Sequence, residues 1–404
     1  MDLIDWLDDH SEGWFWYVKR LSGNDTLANG SHQAGPYIPR AVFFRLFPSL
    51  KTHTHDNAKA WFDLTIASHP DARQVRVIWY NNKWRGRTRD EVRVTNLGGA
   101  QSALLDPEST GALAVFAFRQ SEGSDTDHCC VWVCRDQVEA DIAERMVGPV
   151  EPGHWAMFPP DGDLLSLLAT PARTDCRLAH HALPPKWLKR FPTGAEIMRE
   201  VISLRPDSEL AVDKRLMRRL DCEFELFQSL EEAVELPRVR KGFTAIADFL
   251  VAAQTVLQRR RARAGRALEL HMREILKEEG FVEGRDFTWQ PKKAEGNPDF
   301  VFPNEDLYLD DKHPREQFRM LAAKTTIRDR WRQVTQECPD LPKRHLLTLQ
   351  EGVSEKQFDL ITKERICLVV PDRQISKYAN SIRPHLMTVE SFMADLRTLS
   401  PPGP

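Results

Sequence analysis

Short apolar stretches recur through the first third of the chain, with polar turn-like segments between them. This pattern predicts short β-strands joined by turns. A helix is predicted after the last of them, over Gln137–Met146. Short strands in this arrangement are typical of a β-barrel or sandwich. The predicted strands are Trp14–Val18, Trp61–Ile66, Gln74–Tyr80, Glu91–Thr95, Gly111–Phe118 and His128–Cys134.

In the second half of the chain the apolar residues recur every three to four positions, which predicts helices. The helices expected first are Gly194–Ser203, Val212–Glu235, Ala245–Gln258 and Ala267–Glu279. A mixed pattern follows, in which strands alternate with helices as in an α/β core. Its elements are a strand beginning at Asp299, a strand over Phe318–Lys324, a helix over Thr325–Glu337, strands over His345–Leu349 and Arg365–Val370, and helices over Glu355–Thr362 and Val389–Thr398.

The composition changes between these two patterns at a proline-containing stretch. Pro171 follows Thr170, and Pro184 and Pro185 stand a few residues further on. Linkers between domains are often rich in such residues. We therefore predict a first domain over residues 1–170, a linker over 171–184 and a second domain over 185–404.

The overall composition is that of a globular protein. The 404 residues are 41% hydrophobic and 28% charged, which is enough for two or three domains. The net charge of −3 means that any DNA-binding surface must be a local concentration of positive charge. The chain opens with the acidic stretch Met1–Asp5, and no apolar run has the length of a membrane span. We therefore expect a cytoplasmic protein that does not contact membranes.

The candidate chemistry lies between Asn297 and Glu337. Asp299 begins one strand, Lys324 ends the next, and Glu337 lies on the helix predicted after it. Carboxylates can hold a divalent cation that polarises a phosphate, while a lysine orients the attacking water and balances charge. Each of these residues in its local context is common by chance. Their combination and spacing predict hydrolysis of a phosphodiester.

Several runs of residues are similar to one family. The acid that usually stands two residues before the lysine of PD-(D/E)xK nucleases is replaced here by Ala322. Glu337 stands where EcoRII-type restriction endonucleases take that acid from the following helix. Further segments of the chain are similar to this subgroup, so the resemblance covers nearly the whole chain. They are Lys324–Gln333, Gly265–His271, Leu347–Gly352, Lys19–Thr26, Gly30–Gln33 and Tyr37–Pro39.

The resemblance implies a fold and a cofactor. The fold has two domains, an N-terminal mainly-β pseudobarrel of the B3 type and a C-terminal α/β restriction-endonuclease-like domain. The implied cofactor is Mg²⁺, held by Asp299 and Glu337, with Glu269 beside the metal and Tyr308 near the reacting groups. From the residues alone, Glu269 could equally be a surface glutamate and Tyr308 a packing residue.

The resemblance also implies DNA contacts in the C-terminal half. Arginine fits guanine O6 and N7 and aspartate fits cytosine N4, so Arg328, Asp329 and Arg330 are candidate base readers. The alternative is a surface ion pair between Asp329 and Arg332. Two further groups belong to the predicted DNA contacts. The first is Arg263 and Arg266, which would contact phosphates; the alternative is that they are solvated at a helix entry. The second is Phe224, which would stack on a flipped central base. Leu220 stands where relatives carry an arginine.

A second DNA-binding region is predicted in the N-terminal half. Five basic residues are interleaved with Thr88, Asp90 and Glu91 in Lys83–Arg93. On charge alone this run could be a solvated hairpin tip. The resemblance implies a DNA-binding cleft formed by His32, Tyr37, Arg87, Arg89, Glu91 and Arg93.

Together these features predict a type II restriction endonuclease that cuts double-stranded DNA with Mg²⁺ at a CC-x-GG-type site, such as CCWGG. We expect a homodimer whose N-terminal domain binds a further copy of the site as an allosteric effector. Two alternatives stay open, a structure-specific DNA-repair nuclease and a catalytically silent DNA-binding regulator. The presence of Asp299, Lys324 and Glu337 argues against the silent regulator.

Overall fold

The computed structural model describes residues 1–30, 35–51, 57–86, 90–119, 123–160, 174–310 and 312–399. The strands in these ranges are β1 Trp14–Arg20, β2 Lys59–Ile66, β3 Asp71–Tyr80, β4 Glu91–Thr95, β5 Leu113–Arg119, β6 His128–Val133, β7 Trp155–Phe158, β8 Thr288–Trp289, β9 Phe300–Phe302, β10 Arg319–Lys324, β11 Arg344–Thr348 and β12 Ile366–Val369. The helices are α1 Leu3–Asp9, α2 Arg40–Leu46, α3 Gln137–Val147, α4 Pro185–Lys189, α5 Gly194–Leu204, α6 Val212–Lys241, α7 Ile246–Glu278, α8 Glu305–Tyr308, α9 Trp331–Val334, α10 Glu355–Lys363, α11 Asp372–Ile375 and α12 Val389–Arg397.

The N-terminal half is built on one seven-stranded sheet. Its strand order is β4-β3-β2-β6-β5-β1-β7, and every pair is antiparallel except β2 with β6. Alternate residues of the strands point to opposite faces, so the sheet has a separate apolar cluster on each face. α2 packs on one face, and α1 and α3 cover the other. The mainly-β prediction for this half is confirmed.

The C-terminal half is built on a five-stranded sheet of order β12-β11-β10-β9-β8. β8, β9 and β10 pair antiparallel, while β10, β11 and β12 run parallel with α9 and α10 in the crossovers. Apolar residues of α9 and α10 cover one face, and residues of α6, α7 and α12 cover the other. This arrangement confirms the predicted α/β class of the second half.

Two predicted helices differ from those observed. The segments expected as Ala245–Gln258 and Ala267–Glu279 form one continuous helix, α7. Its arginine-rich stretch lies inside the helix because Arg259 and Arg260 pair with Glu235 and Glu231 of α6. The two long helices therefore form an antiparallel hairpin stabilised by ion pairs, rather than presenting a free basic helix entry.

The helix expected over Thr325–Glu337 is helical only at Trp331–Val334. β-branched residues at positions 325 to 327 disfavour a helix. The backbone N–H groups of Ile327 and Arg328 donate instead to Oε1 of Gln350, at 2.9 and 3.2 Å. The continuous helix predicted from Thr325 to Glu337 is therefore not formed.

The described part of the predicted linker lies against α6. Thr174 donates from its backbone N–H to Oε1 of Glu225 at 3.0 Å, and a disulfide joins Cys176 to Cys222. Leu183 is buried in the same apolar cluster. These residues are therefore attached to the second half, although the boundaries 1–170, 171–184 and 185–404 stay a prediction.

Within the described ranges, no helix is both long enough and apolar enough to cross a membrane.

Candidate active site

Asp299, Lys324 and Glu337 converge at the end of the second sheet. The ammonium Nζ of Lys324 lies 3.1 Å from Oδ2 of Asp299 and 3.9 Å from Oε1 of Glu337. All three side chains are largely buried, with relative side-chain exposures of 12% for Asp299, 21% for Lys324 and 6% for Glu337. The sequence spacing therefore brings together the three side chains that it predicted would meet.

The strands β9 and β10 fix the first two residues. Asp299 precedes β9, and its Oδ2 accepts a hydrogen bond from the backbone N–H of Ala323 at 2.7 Å. Phe300 pairs with Leu321 in the antiparallel ladder, which sets the register. Lys324 ends β10 and pairs with Thr348 of the parallel strand β11. Backbone pairing thus holds the acid and the lysine side by side.

Glu337 is placed by a close backbone approach rather than by a helix. The backbone N–H of Cys338 donates to the carbonyl of Glu295 at 3.0 Å. Gly296 has a φ of +77°, and a Cβ at this position would lie 2.6 Å from Cα of Glu337. A side chain at position 296 would therefore force the loop away from Glu337.

Glu269 of α7 lies beside this cluster. Its Oε2 accepts a hydrogen bond from Nε2 of Gln290 at 3.1 Å. Burial raises the pKa of Glu269, and the charge of Asp299 acts in the same direction. Glu269 and Lys324 line the same cleft of about 400 Å³. The predicted position beside the other acids fits this geometry, while its role stays a prediction.

The charges of the cluster are tightly coupled. Burial is the main reason that the pKa of Glu337 is raised to about 7; the charge of Lys324 opposes this rise, and the charges of Asp299 and Glu269 add to it. Burial alone would lower the pKa of Lys324, but the charges of Asp299 and Glu337 outweigh it and the pKa is raised. Lys324 therefore stays an ammonium at neutral pH, and Glu337 takes up a proton readily.

The donor chemistry of the cluster suits a hard divalent cation. Oε2 of Glu337 is buried without a hydrogen-bond partner, which leaves a carboxylate oxygen available as a ligand. Carboxylate oxygens are the ligands that Mg²⁺ prefers. In the parts of the chain that the structure describes, however, no three His, Cys, Asp or Glu side chains are arranged around a common metal position. The ammonium of Lys324 here supplies the positive charge between the acids.

Glu337→Gln should stabilise the protein at high pH and not at low pH. The folded state holds a proton on Glu337 up to about pH 7, above the ordinary glutamate pKa of 4.5, so stability falls as the pH rises through this window. The gain from glutamine therefore grows from about pH 4.5 to about pH 7, with an upper bound of roughly 3 kcal/mol. Thermal unfolding in metal-free buffer at both ends of the window measures it. Glu295→Gln, an exposed acid in the adjoining loop, is the control, and an equal gain at both pH values would contradict the prediction.

Tyr308 packs close to the site but has partners of its own. Its hydroxyl donates to Oδ1 of Asp340 at 2.5 Å, and its ring packs against Phe318. The guanidinium of Arg315 lies 5.0 Å from the ring centroid. Burial raises the pKa of Tyr308, and the bond to Asp340 raises it further. These contacts fit the packing alternative, and a role in the reaction stays a prediction.

The candidate base readers lie against the N-terminal half. Arg328 donates from its two terminal nitrogens to the backbone carbonyls of Cys134 and Arg135, at 2.5 and 2.6 Å. Oδ2 of Asp329 accepts from the backbone N–H of Gln137 at 3.2 Å. Arg330 lies 3.9 Å from the carboxylate of Asp141. The alternative pair of Asp329 with Arg332 is also present, through Oδ1 at 3.0 Å.

Arg263 is buried, whereas Arg266 is exposed. Arg263 donates to Oε2 of Glu151 at 2.5 Å, and its guanidinium lies 5.0 Å from the ring centroid of Phe224. The Phe224 ring also packs against the ring of His154, with the two ring centroids 4.2 Å apart. Contact of Arg263 with a phosphate therefore requires its pair with Glu151 to open, and its assignment stays a prediction.

The predicted N-terminal DNA-binding residues are described in part. Tyr37, Glu91 and Arg93 line one cleft of about 900 Å³, together with Lys19. Tyr37 is 57% exposed, and Arg93 pairs with Glu91 at 2.7 Å. His32, Arg87 and Arg89 lie outside the residues that the structure describes.

Residues 134–151, here called the covering segment, form one wall of the cleft that holds Lys324. Asp141, Glu144 and Glu151 from this segment line the cleft together with Glu269 and Lys324. Arg261 of α7 donates to the backbone carbonyl of Glu144 at 3.3 Å. The N-terminal half therefore covers the predicted active site and the predicted reading surface together.

Sequence reasoning missed three features of this site. The covering segment has no unusual local composition, so its contacts with residues 328–330 leave no signal. Gln290, which holds Glu269, lies in a loop and has a positive φ of 48°. The disulfide of Cys176 with Cys222 could have been suspected only by pairing two of the seven cysteines without further guidance.

Family models match the chain in two places. The model for the N-terminal part of the restriction endonuclease EcoRII matches residues 10–162, and the model for the EcoRII C terminal part matches residues 227–393. The first range includes the covering segment. The second includes Glu269, Asp299, Lys324 and Glu337.

One full-length relative and two solved structures are similar to the chain. The type II restriction enzyme EcoRII of Escherichia coli is 39% identical over 397 residues, which cover 96% of this chain and 95% of the relative. Metal-depleted Ecl18kI in complex with uncleaved, modified DNA is 18% identical, covers 53% of this chain and 81% of its own, and has a TM-score of 0.44. The B3 domain of the UbaLAI restriction endonuclease with cognate DNA is 15% identical, covers 39% and 98% respectively, and has a TM-score of 0.24.

Proposed function

The chain belongs to the EcoRII family of type II restriction enzymes, and from that premise we propose that it cuts double-stranded DNA with Mg²⁺ at a CC-x-GG-type site such as CCWGG. The observation that carries this proposal is the convergence of Asp299 and Glu337 on the ammonium of Lys324. Family membership favours this function over the repair nuclease and over the silent regulator.

Each residue of the cluster has a distinct role in the proposal. Asp299 and Glu337 would hold Mg²⁺, with Glu269 beside them. When bound, Mg²⁺ supplies polarisation of the phosphate and a lowered pKa for water. Lys324 is held as an ammonium by its acidic neighbours, so it can donate a hydrogen bond to the attacking water or to the phosphate. The buried setting strengthens both interactions because water screens them less.

The same proposal assigns the contacts that choose the site. Arg328, Asp329 and Arg330 would read the outer C:G pairs, since arginine and aspartate complement guanine and cytosine edges. Arg263 and Arg266 would contact phosphates, and Phe224 would support a central base. Arg328, Asp329 and Arg263 are paired with the covering segment, so this segment must move before DNA can reach them.

We propose that the domain of residues 1–170 restrains the domain of residues 185–404 until it binds its own copy of the site. His32, Tyr37, Arg87, Arg89, Glu91 and Arg93 would form that second DNA-binding cleft. DNA bound there can release the restraint only if it binds the open state more tightly than the closed one. The contacts of the covering segment with Lys324's cleft support the restraint.

A homodimer is part of the proposal. The hairpin of α6 and α7 ends in exposed apolar residues, among them Ile246 at 76% and Val251 at 59% exposure. Phe249 and Leu250 lie beside them and are about half exposed. A contiguous apolar patch of this kind marks an interaction site. A second copy of the chain is the partner we propose for it.

Digestion of plasmids that carry either no CC-x-GG site or several such sites tests the function. The protein should cut only plasmids that carry the site, and only when Mg²⁺ is added. Sequencing of the ends should place every cut at the site and show 5′-phosphate and 3′-hydroxyl termini. Cutting at branched or single-stranded structures without sequence preference would support the repair nuclease instead.

A further inference from the structure

Residues 134–137 satisfy the polar atoms of two predicted base readers one by one. The guanidinium of Arg328 donates to two successive backbone carbonyls, those of Cys134 and Arg135. The carboxylate of Asp329 accepts from the next free backbone N–H, that of Gln137. The covering segment thus offers two hydrogen-bond acceptors to the arginine and one donor to the aspartate.

This is the pattern that a G:C pair presents in the major groove. Guanine offers the acceptors O6 and N7, and cytosine offers the donor N4–H. We propose that residues 134–137 act as an internal imitation of a G:C pair, which competes with DNA for the atoms that read it. The inference rests on the proposed role of Arg328 and Asp329 as base readers.

The imitation is built from rigid backbone. Asp136 caps α3 by accepting from the N–H of Glu139 at 2.9 Å. The N–H of Gln137 is at the first helical position, where it has no partner within the helix, so it is available to Asp329. The N–H of Cys134 is bound to the carbonyl of Leu113 at 2.9 Å, which fixes the neighbouring carbonyls.

The readers are held in place from their own side as well. Gln350 accepts from the backbone of Arg328 at 3.2 Å, and Gln357 donates to its carbonyl at 2.6 Å. The side chains of Arg328 and Asp329 are therefore presented in the same way to the covering segment and to DNA. One acid extends the likeness to a phosphate, since Glu151 binds Arg263, a predicted phosphate contact.

The likeness has an energetic consequence. Leaving a polar or charged group unpaired at a dry interface costs more than a hydrogen bond normally contributes. In the closed protein the readers are paired, and a C:G pair restores those bonds after opening. A different base pair leaves at least one reader unpaired. Moving the covering segment away therefore costs little free energy only when the correct site replaces its hydrogen bonds to the readers.

Gln137→Pro is the sharpest test because it removes the backbone N–H that donates to Asp329. Proline is well tolerated at the first helical position, and Asp136 has the extended backbone that suits a following proline. Gln137→Ala removes the side chain and keeps the N–H, so it is the matched control. We expect Gln137→Pro to bind CC-x-GG duplexes in Ca²⁺ roughly tenfold more tightly than Gln137→Ala, because the closed state loses a bond to a carboxylate.

Amide hydrogen exchange of the wild-type protein gives a measurement without a variant. The Gln137 amide should be protected in the free protein and should exchange faster when a CC-x-GG duplex is bound in Ca²⁺. The proposal is overturned if Gln137→Pro and Gln137→Ala bind equally, provided that their thermal unfolding matches the wild type. It is also overturned if duplex binding leaves the exchange of this amide unchanged. Failure of the wild-type protein to bind or cut either of the two distinct CC-x-GG duplexes, with a central A:T or a central C:G pair, would instead reject the proposed function.

Discussion

Lys324→Ala should abolish cleavage and leave DNA binding in Ca²⁺ largely unchanged. The ammonium of Lys324 touches both Asp299 and Glu337 and is the cation of the described cluster that can reach the reacting phosphate. Removing one group that stabilises developing charge costs roughly a hundredfold to a thousandfold in rate. Asp299→Ala and Glu337→Ala should have effects at least as large, because both acids are proposed to hold the metal.

Single-turnover cleavage of a radiolabelled CC-x-GG duplex measures this loss, and filter binding in Ca²⁺ separates it from weakened binding. Lys292→Ala is the matched control, since Lys292 is an exposed lysine in the loop that leads to Asp299. Wild-type rates for Glu337→Ala would mean that Glu269 supplies the second acid. Equal loss of binding and cleavage for Lys324→Ala would mean that the lysine holds DNA rather than assists the reaction.

A fragment that begins at Thr174 should cut a one-site plasmid faster than the full-length protein. The fragment keeps the disulfide to Cys222 and the bonds of Thr174 to Glu225, and it loses every contact with the covering segment. Coupling between sites is typically worth about 1–3 kcal/mol, so we expect a rate roughly 5 to 150 times higher. A fragment starting at Pro185 would lack the disulfide and is a less suitable choice.

Arg89→Ala in the full-length protein should have the opposite effect. The restraint stays in place while DNA binding by the N-terminal cleft is weakened, so two-site plasmids should be cut more slowly. Rates on one-site and two-site plasmids for the full-length protein, the fragment and Arg89→Ala measure both effects together. Equal rates on both plasmids with an inactive fragment would show that the N-terminal half helps to hold the DNA being cut.

The sequence was most informative where neighbours along the chain are also neighbours in space. Asp299 immediately precedes β9 and Lys324 ends the adjacent antiparallel strand β10, so their meeting follows from the strand pattern. Glu337 also lies beside Lys324, as the sequence predicts, although the helix expected to carry it is not formed. Its position depends on the contact of Gly296 with the Glu337 backbone, and no periodicity reveals such a contact.

Contacts between distant segments could not be predicted from the sequence. Gln137 and Asp329 are 192 residues apart, and Glu151 and Arg263 are 112 apart. The arginine run around Arg263 was predicted as a phosphate-binding surface because its acidic partners lie on another helix and in the other half. Local charge patterns show that a partner is needed, but only the fold shows which group supplies it.

The order of the two halves along the chain bears on how the enzyme is made in the cell. Asp299, Lys324 and Glu337 are translated after the covering segment, and domains generally fold in the order of their synthesis, at about 5–20 residues per second. More than a hundred residues separate Glu151 from Asp299, so the N-terminal half has several seconds to fold before the first of the three proposed catalytic residues is made. The C-terminal half would then fold against a covering segment that is already folded. With the reverse domain order, the nuclease domain would fold first on each ribosome, and the host chromosome would be exposed to it until the N-terminal half was made.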